Sequence, residues 1–397
     1  MQLAQLQYLS DELQKLREQK LHQKLRILES EQRAVARFDG REVINLSSNN
    51  YLGLTTHPKL KQRAREAIEK YGVGSGAVRT IAGTMTLHMA LEEKIAKFKR
   101  VEASVVFQSG FTANAGTVQA ILSRDDIIIS DELNHASLID GCRLARAEIK
   151  IFAHKDLEAC EKILKEIQAR RARKLLVTDG VFSMDGDIAP LPQLVDLAEK
   201  YGCIMMVDDA HASGVLGLNG RGSIDHFNLH GRVDIQVGTL SKAIGALGGY
   251  VCSTHDAIDF LHHRARPFLF STSHPPSVAA SCLAAFEVLE GEPERIEKLW
   301  ANTRFFKQGL KGLGFNTGMS ETPITPVMVG DAALAHEFSR ELFDEGVFAQ
   351  SVGFPTVPHG KARIRTIVTA THTEAELSQA LGILETVGKK LRIIQSS

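Results

Sequence analysis

The chain has no excess of charge of either sign: its 47 Lys and Arg residues equal its 47 Asp and Glu residues. A nucleic-acid or anionic-membrane partner, which needs a basic surface, is therefore not expected. Long apolar runs are also missing. Stretches such as Cys203-Ile-Met-Met-Val207 are strand-sized, far short of the roughly 20 residues that cross a bilayer. The N-terminus is charged and heptad-like where a signal peptide would be apolar. Cysteine is scarce: Cys142, Cys160, Cys203, Cys252 and Cys282 are odd in number and widely spaced, with no CxxC pair. Such thiols read as reduced and structural, which fits a cytoplasmic compartment and leaves no metal site to expect. The glycine-rich stretch Gly72–Gly83 lacks both a Walker lysine and GxGxxG spacing, so a nucleotide loop is weakly supported. What is present is 397 residues with 44% hydrophobic and 24% charged content. That is an ordinary globular composition, with room for two or three domains and a large core.

Leu6, Leu9, Leu13, Leu16, Leu21, Leu25 and Leu28 recur at helical spacing. They predict an amphipathic helix over about residues 1–30, packed on its own body or on a partner subunit. A hairpin follows between Ala36 and Leu46, turning at Asp39-Gly40, and then a helix from Lys59 to Tyr71. The Gly72–Gly83 stretch fits a loop that passes close to a ligand or another backbone. From Leu87 onward strands and helices alternate. Strands are predicted at Ala103–Phe107, Asp126–Ser130, Lys174–Thr178, Cys203–Val207 and in the run Val233, Ile235, Val237. Short continuous apolar strands separated by helices predict an α/β fold, a mostly parallel sheet covered on both faces. After Pro276 the rhythm changes to a smaller α+β domain, in which Gln350–Pro358 reads as an entrance loop, not a strand. The expected division is an N-terminal helix and hairpin segment, 1–48, a large domain, 49–288, and a small C-terminal domain, 289–397.

Ser109, His135, Ser183, Asp208, His211 and Lys242 each follow the apolar run of a strand. Singly, each has a plainer reading: His135 as a helix cap, Asp208 as a turn residue, Lys242 as a surface lysine at a strand end. In an open α/β sheet, however, the carboxyl ends of the strands share one edge, so all six converge on one crevice. Ser109-Gly110-Phe111 at a strand-to-helix junction offers backbone N–H groups to an anion, and Thr239 and Ser241 add hydroxyls. Lys242 is suited to a Schiff base. Asp208 can keep a pyridine nitrogen protonated, His135 can stack on the ring, and His211 can bond its phenolic oxygen. Pyridoxal 5′-phosphate uses all of these parts.

The strings Asn49-Asn-Tyr-Leu-Gly-Leu54, Asn134-His-Ala-Ser137, Asp179-Gly-Val-Phe-Ser-Met-Asp-Gly186, Val207-Asp-Asp-Ala-His211 and Thr239-Leu-Ser-Lys-Ala243 together resemble the α-oxoamine synthase family over essentially the whole chain. The resemblance implies a fold-type I pyridoxal-phosphate transferase. It assigns the cofactor linkage and acid/base work to Lys242, with Asp208, His211 and His135 around the ring and Ser183 at its oxygen side. It gives the phosphate to Ser109, Gly110, Phe111, Thr239 and Ser241, completed across a homodimer interface by Ser271, Thr272 and Ser273. Asn49 and Arg365 would hold the amino-acid carboxylate; alone, Arg365 reads as a strand arginine in a surface ion pair. The activity implied is acyl transfer from acyl-CoA to an amino acid. Glycine and acetyl-CoA giving 2-amino-3-oxobutanoate, as in threonine breakdown, is the expected pair. Alanine and pimeloyl-CoA with loss of carbon dioxide, as in biotin synthesis, is the alternative, and an enzyme accepting both is a third reading. An aminotransferase would place an aromatic ring where His135 stands. No residue pattern here fixes the length of the acyl chain.

Overall fold

The computed structural model describes residues 4–22 and 24–395. It divides into two compact units: Asn49–Ser183 with Asp187–Leu299, and Met1–Ser48 with Met184–Gly186 and Trp300–Ser397. The sequence suggested a separate N-terminal segment and a boundary at 288/289. The grouping of 1–48 with the C-terminal portion has a direct cause. The hairpin β1 (Val35–Phe38) and β2 (Arg41–Asn45) turns at Asp39 and Gly40, both with positive φ, as a two-residue hairpin loop requires. The second strand then takes a strand from late in the chain as a parallel neighbour, pairing Val347 with Ile44. Ile44 and Leu46 are buried in one cluster with Phe306, Val327, Phe338 and Leu384.

The first helix is shorter than its leucine spacing suggests. It runs Gln7–Glu18, buries none of its residues and leaves Leu9, Leu13 and Leu16 exposed, so the expected packing on its own body is not what the structure shows. Lys20, at φ 58°, breaks the helix, because a left-handed residue cannot continue it. Residues 1–3 and 23 of that expected helix lie outside the described residues.

The larger unit is built on a seven-stranded sheet. In chain order its strands are β3 (Ala103–Phe107), β4 (Ile127–Asp131), β5 (Glu148–Phe152), β6 (Lys174–Asp179), β7 (Ile204–Asp208), β8 (Ile235–Thr239) and β9 (Gly249–Ser253). Their spatial order is β3-β9-β8-β7-β6-β4-β5. All pairings are parallel except those of β9, which is antiparallel to both β3 and β8. The expected mostly parallel α/β sheet is thus present. Two strands escaped the sequence reading. The outer strand β5 is only partly buried and lacks a continuous apolar run, and β9 opens on Gly249, directly behind the glycine-rich stretch Gly245–Gly248. The central strands β4, β6 and β8 are buried at every residue, and two apolar clusters lie on the sheet's faces, around Val105, Ile128 and Val177 and around Ile129, Leu176 and Val207. Between β4 and β6 the connections diverge, because β5 lies to one side of β4 and β6 to the other. Such a switch point opens a crevice beyond the strand ends.

In the second unit β10 (Ile324–Gly330), β12 (Gln350–Val352) and β13 (Ala362–Ile367) form an antiparallel sheet in the order β10-β13-β12. Gln350–Val352 is therefore a strand, contrary to its reading as loop. Its N–H and C=O groups are taken by β13, which the Pro and Gly residues just downstream concealed. The short β11 (Val347–Phe348) is the strand that pairs with β2.

Candidate active site

The ends of the parallel strands converge on a cleft of about 240 Å³ lined by Ser109, Gly110, Phe111, His135, Asp208, His211, Thr239, Ser241 and Lys242, together with Ser137, Asp179, Val181 and Ala210. Nine of the expected site residues thus meet in one place. Ser183 is buried but is not among the lining residues, and neither are Asn49, Ser271, Thr272 and Ser273. Ser273 is turned into its own chain, donating to Gly83 O at 2.6 Å, and Thr272 bridges to Val78. Arg365 lies on β13 of the second unit, opposite Pro326 and Gln350. Its neighbour Arg363 makes an ion pair with Asp185, at 2.5 Å.

Lys242 sits in the connection between β8 and β9, whose backbone closes on itself: Leu240 N–H donates to Gly248 O at 2.8 Å and Gly245 N–H to Lys242 O at 3.0 Å. Gly249 lets this segment pass against the chain's own Ser109–Gly110 backbone, where a Cβ would collide with Ser109 O. That close passage sets the start of helix Gly110–Ile121 beside Thr239. Ser109 caps the helix, accepting from Thr112 N–H at 3.1 Å while Thr112 Oγ1 accepts from Ser109 N–H at 3.0 Å, so the first turn is fixed. Its forward-pointing N–H groups and the Thr239 and Ser241 hydroxyls, 2.7 Å apart, form a donor set suited to a phosphate.

Two adjacent aspartates end β7 and the structure sorts them. Asp209 is fully buried on Lys99 at 3.0 Å. Asp208 lines the cleft, its Oδ1 accepting from Ala210 N–H at 2.8 Å and its Oδ2 from Asn114 Nδ2 at 2.5 Å. The same Asn114 amide donates to Ser137 Oγ at 2.9 Å, and Ser137 Oγ lies 2.7 Å from His135 Nδ1. Because Ser137 N–H also donates to that nitrogen at 3.2 Å, Nδ1 is an acceptor and the neutral ring carries its proton on Nε2. One relay therefore sets both the carboxylate and the imidazole face. His211 Nδ1 is 2.8 Å from the hydroxyl of the fully buried Tyr51. Asn114, Ser137, Tyr51 and Asp179 were missed as site residues. All but Asp179 are uncharged, yet Tyr51, Ser137 and Asp179 stand inside the motif strings already noted, and Asp179 ends β6 as Asp208 ends β7.

Behind the cleft, His154 joins the segments carrying His135 and Ser183. Its Nδ1 lies 3.1 Å from Asp131 Oδ1 and its Nε2 2.9 Å from Asp187 Oδ2, while Lys155 Nζ is 3.1 Å from the same Asp187 oxygen. Burial alone would lower the pKa of this imidazole, but the two carboxylates outweigh it and raise it to about 9. A folded pKa above the ordinary histidine value stabilises fully below about pH 6.5 and fades as pH rises through about 9. Changing His154 to Gln is thus expected to cost about 1–3 kcal/mol at neutral pH, discounted for partial exposure. Denaturant melts of both proteins across pH check this: the gap should close above about pH 9, and a gap independent of pH would mean an uncharged His154.

A doubly covered parallel sheet, a lysine beyond one strand, an aspartate ending the next and a helix N-terminus beside them define a fold-type I pyridoxal-phosphate enzyme. The residues present fit that group. Asp208 is held by neutral donors alone among the bonds described, leaving its charge for a cation, and the Gly110 Cα lies close enough to Thr239 that a Cβ would meet it at 3.3 Å. The chain belongs to the aminotransferase class I and II family, whose model matches residues 41–384, and within it to the α-oxoamine synthases. It is similar to the 8-amino-7-oxononanoate synthase of Symbiobacterium thermophilum, at 60% identity over 99% of this chain and 100% of that one. The protein of the same name from Thermoanaerobacter pseudethanolicus is 59% identical over 98% of both. Among solved structures, serine palmitoyltransferase from S. paucimobilis with PLP and myriocin bound superposes with a TM-score of 0.94, at 33% identity over 99% of this chain and 100% of that one. Among the described residues no helix is long and apolar enough to cross a membrane.

These relatives correct the expected substrate pair. Glycine and acetyl-CoA do not stand, because both relatives carry the name of the alternative branch. The motif strings that suggested the family supply His135, Asp208, His211 and Lys242 to the cleft. They carry nothing that measures an acyl chain.

Proposed function

We propose that this enzyme joins L-alanine to a pimeloyl thioester, giving 8-amino-7-oxononanoate, carbon dioxide and the free thiol. The observation that carries this reading is near-full-length identity of 60% and 59% to two proteins of that name. A bond forms between the alanine α-carbon and the thioester carbonyl, the thiolate leaves, the bond to the carboxylate breaks, and a proton returns to the α-carbon. The cofactor supplies an electron sink for negative charge at that carbon.

The chain's own residues do the rest. Lys242 would anchor the cofactor and would supply the amine that moves the proton at the α-carbon. Asp208 would keep the ring nitrogen protonated, and His135, oriented through Ser137 and Asn114, would be available to pack against the ring. His211, held by Tyr51, and Ser183 serve the ring oxygen. Ser109, Gly110, Phe111, Thr239 and Ser241 bind the phosphate, with Ser271, Thr272 and Ser273 reaching it from a second copy in a homodimer. Asn49 and Arg365 take the alanine carboxylate, for which a guanidinium fork is suited.

Thiol release measured with alanine plus pimeloyl-CoA against glycine plus acetyl-CoA tests the reading. The first pair is expected to be favoured at least about tenfold in kcat/KM, the ratio set by about 1.4 kcal/mol of differential binding. Preference for the second pair, or thiol release without carbon dioxide, would reject it.

A further inference from the structure

Asp179 ends β6 directly beside Asp208 at the end of β7, with the two paired in register. Both line the cleft. Their surroundings differ. Asp208 has a donor on each oxygen, from Ala210 N–H and the Asn114 amide. Asp179 has one: its Oδ2 accepts from His135 N–H at 3.1 Å, while its Oδ1 is buried without a hydrogen-bond partner. Its backbone N–H donates to Asn134 Oδ1 at 2.8 Å, and the His135 N–H on Oδ2 orients the side chain. Two buried carboxyls side by side cannot both ionise without a large penalty, and the one with fewer donors keeps the proton. The proton then sits on Oδ1, because Oδ2 already accepts. Among the described residues that O–H has no acceptor.

We propose that Asp179 is a further residue of the cofactor cleft, presenting a neutral carboxyl that donates its Oδ1–H to the molecule filling the cleft. The cleft floor then carries one negative charge, on Asp208, and through Oδ2 the same side chain holds the start of the His135 segment. Burial first, and then the Asp208 charge, push the Asp179 pKa well above the ordinary carboxyl value. Asp131, at the end of β4, acts in the same direction, and Lys242 and the His135 N–H oppose it.

The readout is cofactor binding, so the inference stands whichever amino acid and thioester the enzyme uses. Apoenzyme is titrated with pyridoxal 5′-phosphate and followed by absorbance, for wild type, Asp179→Asn and Asp179→Leu. The amide is neutral and keeps a donor, so Asp179→Asn is expected to bind within about threefold of wild type at neutral pH. Loss of the donor in Asp179→Leu is expected to weaken binding about tenfold or more. As pH rises, wild-type affinity should fall relative to Asp179→Asn, because only the wild-type carboxyl can ionise. Tenfold weaker binding by Asp179→Asn at neutral pH would show that the ionised form is needed and overturn the proposal. So would full affinity in a folded Asp179→Leu, or a wild-type to Asp179→Asn ratio that does not move with pH. Should Asp179→Leu fail to fold by circular dichroism, that ratio against pH decides alone.

Discussion

Lys242→Ala is expected to lower kcat by about 10³-fold or more while the protein folds normally. The size follows from two roles lost together. A covalent anchor that a substrate amine displaces is removed, and so is the amine that moves the α-proton, a step alone worth about 10²–10⁴-fold. The fold should survive because the loop's shape is set by backbone bonds, Leu240 N–H to Gly248 O and Ala246 N–H to Leu240 O, and by buried Ala243 and Ile244. Three measurements separate this from simple damage. The wild type should be yellow and should retain its cofactor through borohydride reduction followed by denaturation. The variant should lose the coloured linkage and release all cofactor on denaturation. Circular dichroism and melting of the two should nearly coincide. A variant that kept more than about a tenth of wild-type kcat would move the proton transfer to another residue, because an anchoring role alone does not need to appear in kcat.

The legible and illegible parts of this protein divide along a physical line. The central strands could be read because burial on both faces demands continuous apolar runs, as in Ile127–Asp131 and Lys174–Asp179. Site residues could be read where they carry charge or a ring nitrogen immediately after such a run, as Asp208, His211 and Lys242 do. Asn114 and Tyr51 could not, although one orients Asp208 and the other His211. Their significance lies in which distant atom they meet, and no local spacing encodes it. The same holds for the edge strand β5 and for the grouping of 1–48 with the C-terminal portion. That grouping depends on Val347 finding Ile44 some three hundred residues away. The wrong substrate pair has a further reason. Acetyl and pimeloyl differ by four methylenes and a terminal carboxylate; each methylene is read by apolar contacts worth about 1–3 kcal/mol, spread over residues that look like any other core positions.

Asp208→Asn is expected to be the second large loss, about 10²–10⁴-fold in kcat, and it probes charge with little change of shape. Asp208 sits at the end of a buried strand and is only 5% exposed, so a cation placed against it is poorly served by water. Removing one partner of such a pair costs about 3–5 kcal/mol, and each 1.4 kcal/mol is a factor of ten. The amide keeps an oxygen that can still accept from Ala210 N–H, and the backbone around it is pinned by Gly180 N–H donating to Asp208 O at 2.8 Å and Asp209 N–H donating to Val237 O at 2.7 Å. The loss should therefore appear in kcat and in the visible spectrum of the bound cofactor, with little change in melting temperature. Its new NH₂ group would face the Asn114 amide that now donates to Asp208 Oδ2, so the relay to Ser137 and His135 is disturbed as well. A double variant distinguishes the two effects. If charge dominates, Asn114→Ala should cost far less than Asp208→Asn, and combining them should add little to the loss. If orientation through the relay dominates, the two single losses should be of similar size, and Asp208 would be acting on the reaction mainly by setting the His135 ring.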